Sequence, residues 1–269
     1  MGRLVGYMAN RSDRLAAALQ QERAVVASAP TSERPTGWGL GFYQGGEVLH
    51  KKRPQLQGEL DWGQVAKDVV SDCVVMHLRQ PTVGDFRTQN THPFRMRRWL
   101  FAHSGTIGRF EAVAEPMRAS LPDFLARNIR GTTDSELLFH VVLSFLHDAG
   151  QLDVSDVDQA AVLTALRSAV ALVDRLCAEV RGPESTLNLV LTNGRSMFAL
   201  RRGIPMAYVE RRGLHDPTAE VAPSPSGPAT LRYVMVVGNG GEFPADWSVM
   251  EDGEVVVVDR DLVVHSHPL

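Results

Sequence analysis

The stretch MHLRQPTVGDFRTQNTHPFRMRRWLFAHSGTIGRF, residues 76–110, decides how the rest of the chain is read. It begins inside an apolar run from Cys73 and ends beyond a second run from Trp99, so two strands bracket a polar connection. Arg79 and Thr82 emerge at the tip of the first strand, where ligands commonly bind. An arginine there either grips a carboxylate in a two-bond fork or makes an ordinary surface ion pair. Ala102-His103-Ser104-Gly105 ends the second strand, and its small residue and glycine predict a tight turn. Such a turn leaves backbone amides open to an anion, or it merely reverses the chain. Further on, Thr133-Asp134-Ser135-Glu136 has the capping-box pattern, with Thr133 as the cap. Asp134 in the first helical turn is then explained by the helix dipole without any ligand.

Outward from this region the chain alternates between classes of pattern in blocks. Leu4 to Met8, Trp38 to Tyr43, Cys73 to Leu78 and Trp99 to His103 read as strands. So do Leu187 to Thr192, Ser196 to Arg201, Leu231 to Val237 and Val255 to Val258. Asn193-Gly194 predicts a hairpin between two of them. In the middle, Leu137, Leu138, Val141, Val142, Phe145 and Leu146 form a helical stripe. Val162, Leu166, Ala169, Val173, Leu176 and Val180 form a longer one, stopped by Gly182-Pro183. Strands, then helices, then strands describe an α+β layered fold rather than repeated βαβ units. Pro217 to Pro228 has no periodicity and reads as a surface loop. The roughly forty residues beyond it are too few for a core of their own, so residues 1–269 are expected to form a single domain.

Composition narrows the partners. The 28 lysines and arginines nearly balance the 31 aspartates and glutamates, so no overall field attracts nucleic acid or an anionic membrane. Cys73 and Cys177 lie in apolar periodic segments and read as buried thiols in a reducing compartment. With no basic leader and no long apolar run, a cytoplasmic protein is expected. Gly2 lacks the sixth-position Ser or Thr of a myristoylation signal, since Gly6 stands there. GNGGEF, from Gly238, ends in Phe243 where a dinucleotide loop needs glycine. His265 and His267 lack a third ligand at metal spacing and read as part of an exposed tail, so neither metal nor cofactor is expected.

Taken together, these motifs resemble class II glutamine amidotransferases of the N-terminal nucleophile hydrolase superfamily, especially the short stand-alone bacterial kind. The resemblance rests on Met1 to Tyr7, Gly37 to Gly41, His77 to Thr82, Asn90 to Phe94, Ala102 to Ile107 and Thr133 to Glu136, in that order. Weaker similarity continues from Leu187 and around Trp247. It implies a four-layer αββα sandwich. It also implies a terminal cysteine that attacks the glutamine side-chain amide and an Asn-Gly oxyanion hole, with an Arg, a Thr and an Asp that hold the amino-acid end of the substrate.

The departures fall on the chemistry. Gly2 stands at the nucleophile position, Ser104 replaces the oxyanion asparagine beside Gly105, and Thr36 replaces an acidic residue. Arg79, Thr82 and Asp134 match the recognition positions. The resemblance therefore implies a glutaminase-inactive protein whose pocket binds glutamine or a γ-glutamyl compound. Two other readings stay open: a structural partner in a larger complex with a relic pocket, or a nucleophile relocated to Cys73, Cys177 or Ser104. With no cysteine at its second position, the chain is expected to keep Met1, which would then block the substrate amide.

Overall fold

A computed structural model describes residues 2–27, 37–56, 60–80, 82–213, 230–238 and 241–269. Met1, Thr36, the whole of Pro217–Pro228 and residues 239–240 of GNGGEF lie outside the described residues, and so do the expectations placed on them. Two antiparallel sheets stack face to face. The first has seven strands in the order β11 (Ser248–Val249), β9 (Met206–Arg212), β10 (Arg232–Gly238), β1 (Arg3–Ala9), β4 (Cys73–Arg79), β2 (Gly37–Gln44) and β3 (Glu47–Arg53). The second has six, in the order β13 (Val264–Pro268), β12 (Glu254–Val258), β8 (Met197–Arg201), β7 (Thr186–Thr192), β6 (Trp99–Thr106) and β5 (Phe94–Met96).

Strand parity builds the layers, because successive side chains leave a strand on opposite faces. On β1, Val5, Tyr7 and Ala9 pack beneath α1 (Leu15–Gln21), α2 (Arg23–Val26) and α3 (Trp62–Ala66). Leu4 and Met8 on the same strand face the other way, onto Leu100 and Ala102 of β6, Val190 of β7 and Ala199 of β8. Trp99 and Phe101 of β6 point outward beneath α4 (Phe110–Ala119), α5 (Asp123–Ala126), α6 (Asp134–Asp148) and α7 (Gln159–Glu179). The order is therefore helix, sheet, sheet, helix, the expected αββα sandwich. Both central helical stripes are real: Leu138, Val142 and Leu146 of α6 and Val162, Leu166 and Val173 of α7 are fully buried.

Three local expectations are corrected. The strand from Trp99 does not turn at Ser104-Gly105 but continues to Thr106, with Ser104 opposite Asn188 and Gly105 opposite Leu187. Gly105 is there for a close approach: a Cβ on it would stand 1.9 Å from the carbonyl oxygen of Thr186. The Asn193-Gly194 hairpin forms, but with a longer loop, since the last ladder pair is Thr192 with Met197 and the Asn193 side chain accepts the amides of Arg195 and Ser196. Residues 264–268 are an edge strand paired to β12, not a tail.

Candidate functional site

Parity also builds the site. Arg79 of β4 follows Cys73 and Val75 at alternate positions, and Ser104 of β6 follows Leu100 and Ala102. Both therefore point into the gap between the sheets, near its end. There a polar pocket of about 30 Å³ is lined by all six residues that the sequence had singled out: Gly2, Arg79, Thr82, Ser104, Gly105 and Asp134. That volume takes about one or two waters. His77, His92, His103 and Ser135 also line it. No role for these four was read from the sequence. The available signal was a histidine at a core-facing strand position (His77, His103) or directly before a proline (His92).

Each recognition residue is engaged by the protein itself. The buried Arg79 guanidinium donates to the carbonyl oxygens of Asp85 at 2.9 Å, Val83 at 2.9 Å and Gly84 at 3.1 Å, clamping the loop that follows its strand. The open ion-pair reading of Arg79 is thus replaced by carbonyl binding. Asp134 accepts the Ile107 amide at 3.0 Å through one oxygen and the Ser135 amide at 2.8 Å through the other. Thr82 and Thr106 share a hydroxyl contact of 3.0 Å. Thr133 caps α6 as expected, accepting from the Glu136 amide at 3.2 Å. Glu136 does not complete the capping box; its carboxylate takes the amides of Arg130 and Gly131 at 3.0 and 2.6 Å.

The position that the resemblance gives to the nucleophile is shut. A Cβ built on Gly2 would fall 1.6 Å from the carbonyl oxygen of Leu78, so the glycine leaves no small space facing the ligand, contrary to expectation. Strand β1 and β4 have come together over the place of a side chain. The Ser104 hydroxyl lies 3.4 Å from the Gly2 carbonyl oxygen and donates to it. His103 cannot serve Ser104, because adjacent strand residues point to opposite faces. Its Nε2 lies 3.1 Å from the Thr186 carbonyl and so carries the proton, while Nδ1 lies 2.9 Å from Ser135 Oγ, whose one proton is shared between that nitrogen and Asp134 Oδ1 at 3.2 Å.

The His77 and His92 rings meet at a tilt of 43° with centroids 4.2 Å apart, and their four ring nitrogens have no hydrogen-bond partner among the described residues. Burial, with His103 and Arg79 nearby, pushes the His77 imidazole down to about 3. Burial and the neighbouring His77, His103, Arg79 and Lys52 hold His92 well below the usual histidine range. Both rings are therefore neutral at neutral pH. The two cysteines are poor replacements for a nucleophile. Cys73 sits at the far end of β4, about 20 Å of strand from Arg79, with its thiol pushed up to about 12 by burial. Cys177 is buried and donates to the Gly108 carbonyl at 3.2 Å.

The family model for class II glutamine amidotransferases matches residues 1–267. This chain belongs to the class II glutamine amidotransferase family. Among similar proteins, the Saccharomyces cerevisiae probable glutamine amidotransferase DUG3 is 24% identical over 257 residues, covering 87% of this chain and 71% of the yeast protein. A glutamine aminotransferase class-II domain protein from Silicibacter pomeroyi superposes with a TM-score of 0.63 at 19% identity, covering 99% of this chain and 98% of that one. A Pseudomonas aeruginosa protein described as a predicted glutamine amidotransferase superposes at 0.58 with 22% identity, covering 96% and 93%. At these identities the superpositions speak for the fold. Among the described residues of this amidotransferase-family chain, no helix is long and apolar enough to cross a membrane.

Proposed function

We propose that this amidotransferase-family protein does not hydrolyse glutamine and works instead by binding glutamine or a γ-glutamyl compound. The observation that carries the first half is the contact at Gly2, where a side chain of any kind meets the Leu78 carbonyl. The covalent route needs a nucleophile there, and the loss of one oxyanion donor alone costs about 10²- to 10³-fold. The burial of Cys73 and the orientation of His103 away from Ser104 argue against a relocated nucleophile.

The second half is supported by convergence. Arg79, Asp134 and the unpartnered rings of His77 and His92 surround one small pocket. A buried polar group left without a partner costs about 1–3 kcal/mol, which a polar ligand recovers. Entry requires the 83–85 loop to move. A ligand carboxylate competes well for Arg79, because a charged acceptor bonds an arginine about twice as strongly as a neutral carbonyl does.

The small volume of the pocket favours the second reading, a protein that acts through a macromolecular partner and carries a closed relic. Calorimetry with glutamine and glutamate on the wild type and on Arg79→Ala separates the two. Binding abolished by Arg79→Ala supports recognition; no heat at millimolar ligand leaves the partner reading. Ammonia release from glutamine is expected to equal a no-enzyme control, and clear turnover that disappears in Ser104→Ala or Cys73→Ala would overturn the inactive assignment.

A further inference from the structure

A second cavity, of about 600 Å³, opens beside the first turn of α6, and nothing in the family motifs assigns it. Its volume lies within the range of small-molecule sites, about 300–1,000 Å³. Buried Phe94 and Phe139 contribute to its wall, and its charged lining residues are four cations and one carboxylate.

The charges can be sorted by what already neutralises them. Arg97 is paired with Asp153 and leaves the count. Arg95 donates one bond to the Val48 carbonyl at 2.5 Å and keeps its charge. The Lys52 ammonium, on a half-buried side chain over the Phe94 ring at 5.6 Å, has no hydrogen bond or ion pair among the described residues. The exposed Arg130 side chain likewise makes none. Glu136 is the one carboxylate in the lining, and both its oxygens already accept backbone amides. His50 and His140 are held below the usual histidine range by burial and count as neutral. Three cations against one carboxylate leave an excess of two positive charges, the complement of a phosphomonoester, which carries about −1.5 to −2 at neutral pH.

His140 adds a second requirement. Its ring is 3% exposed, and its Nδ1 lies 2.8 Å from the Glu136 carbonyl, so Nδ1 carries the proton. Nε2 then has a lone pair and no partner among the described residues. A buried acceptor beside an anion-binding lining calls for a ligand that also offers a hydrogen-bond donor.

We propose that this cavity is a binding site for a small hydroxylated phosphomonoester, with Lys52, Arg95 and Arg130 receiving the phosphate and His140 Nε2 accepting from a hydroxyl. The proposal stands apart from the glutamine reading: it holds whether or not glutamine binds.

Calorimetry with ribose 5-phosphate on the full chain tests it, with ribose and inorganic phosphate as probes that each lack one half of the chemistry. Ribose 5-phosphate is expected to bind more tightly than either. Lys52→Met is expected to weaken it about tenfold or more, the loss of one charge-assisted bond. Lys67→Met, which removes the same charge from an exposed lysine outside the cavity lining, is expected to leave it within about twofold. His140→Phe is expected to weaken ribose 5-phosphate but not inorganic phosphate. Should Lys52→Met fail to fold, Arg130→Gln, a change at an exposed side chain, carries the same expectation. The site is overturned if ribose 5-phosphate does not bind, if inorganic phosphate binds as tightly, or if Lys52→Met weakens it no more than Lys67→Met does.

Discussion

Two cavities flank the N-terminal turn of α6, and they differ in what their polar groups are doing. Asp134 lines the smaller one, at the end of the inter-sheet gap, and Glu136, two residues on, lines the larger. In the smaller cavity the residues that match the family's motifs are held by contacts within the protein. Arg79 holds a loop by its carbonyls, and Asp134 ties the Ile107 amide to a helix start. In the larger cavity Lys52 and His140 Nε2 have no such employment. A motif in the sequence and free polar groups in a cavity are therefore different signals.

The largest expected effect breaks this comparison on the histidine side. His77 is neutral in the fold, with its imidazole down at about 3, whereas an unfolded histidine titrates near 6.5. Above about pH 6.5 both states are neutral and the fold is not penalised. As pH falls through that value the unfolded chain takes up a proton that the fold refuses. Stability is then lost progressively down to the folded value, by about 2 kcal/mol at pH 5 for His77, and His92 acts with the same sign. His103 and Arg79 lower both imidazoles further, and Lys52 lowers that of His92. Urea unfolding at pH 7.5 and pH 5 measures the slope. His77→Gln should flatten it by more than His50→Gln does, because His50 is lowered by a lesser burial; equal slopes in both would refute the assignment.

How much of this was legible beforehand follows from how each signal is written. Strand parity and helical stripes are local, so β1, β4, β7, β10, α6 and α7 were visible from the residue pattern alone. β3, with Glu47, His50, Lys51, Lys52 and Arg53, was not. It is an edge strand, and charged residues on an edge protect it from further pairing while erasing the alternation that reveals a strand. The same lysine that hid β3 lines the larger cavity. The six residues of the smaller pocket were legible because they sit in contiguous motifs, and the structure brings all of them together. Their present partners were not, since the carbonyls bound by Arg79 and the closure over Gly2 depend on how two chain segments meet. The continuation of β6 past Ser104 was hidden for a related reason. Gly105 looks like a turn residue until Thr186 is seen packed against it.

A smaller effect sharpens the difference at the closed end. Gly2→Ala adds one methyl where the Leu78 carbonyl already stands, and overpacking of this kind costs about 1–3 kcal/mol. Thermal unfolding should report it as a fall of about 2–4 °C per kcal/mol for a chain of this size. The double replacement Gly2→Cys with Ser104→Asn meets the same obstacle and is expected to stay at background in an ammonia assay. Activity in that variant would mean that β1 retreats from β4 at little cost, so that the smaller cavity is merely closed rather than lost.

The smallest effect is expected at Glu136, and it is informative because two readouts should move in opposite directions. Replacing the carboxylate by an amide removes the one negative charge in the lining of the larger cavity. Lys52 and Arg130 then act on a bound anion without that competitor, and affinity for ribose 5-phosphate should rise a few-fold. Stability should fall, because the carboxamide has one acceptor oxygen where the carboxylate used two, for the Arg130 and Gly131 amides. One of those amides loses its partner, at a cost of about 1 kcal/mol. Lys52, held at about 8 chiefly by burial and supported by Glu136, should also lose its proton at a lower pH in the variant. The pH at which anion binding weakens in alkaline solution should therefore shift downward. Tighter binding near neutral pH, an earlier alkaline loss and a lower unfolding midpoint form one signature. A variant that loses stability but binds ribose 5-phosphate no better would place the anion away from Glu136 and leave that carboxylate to the loop alone.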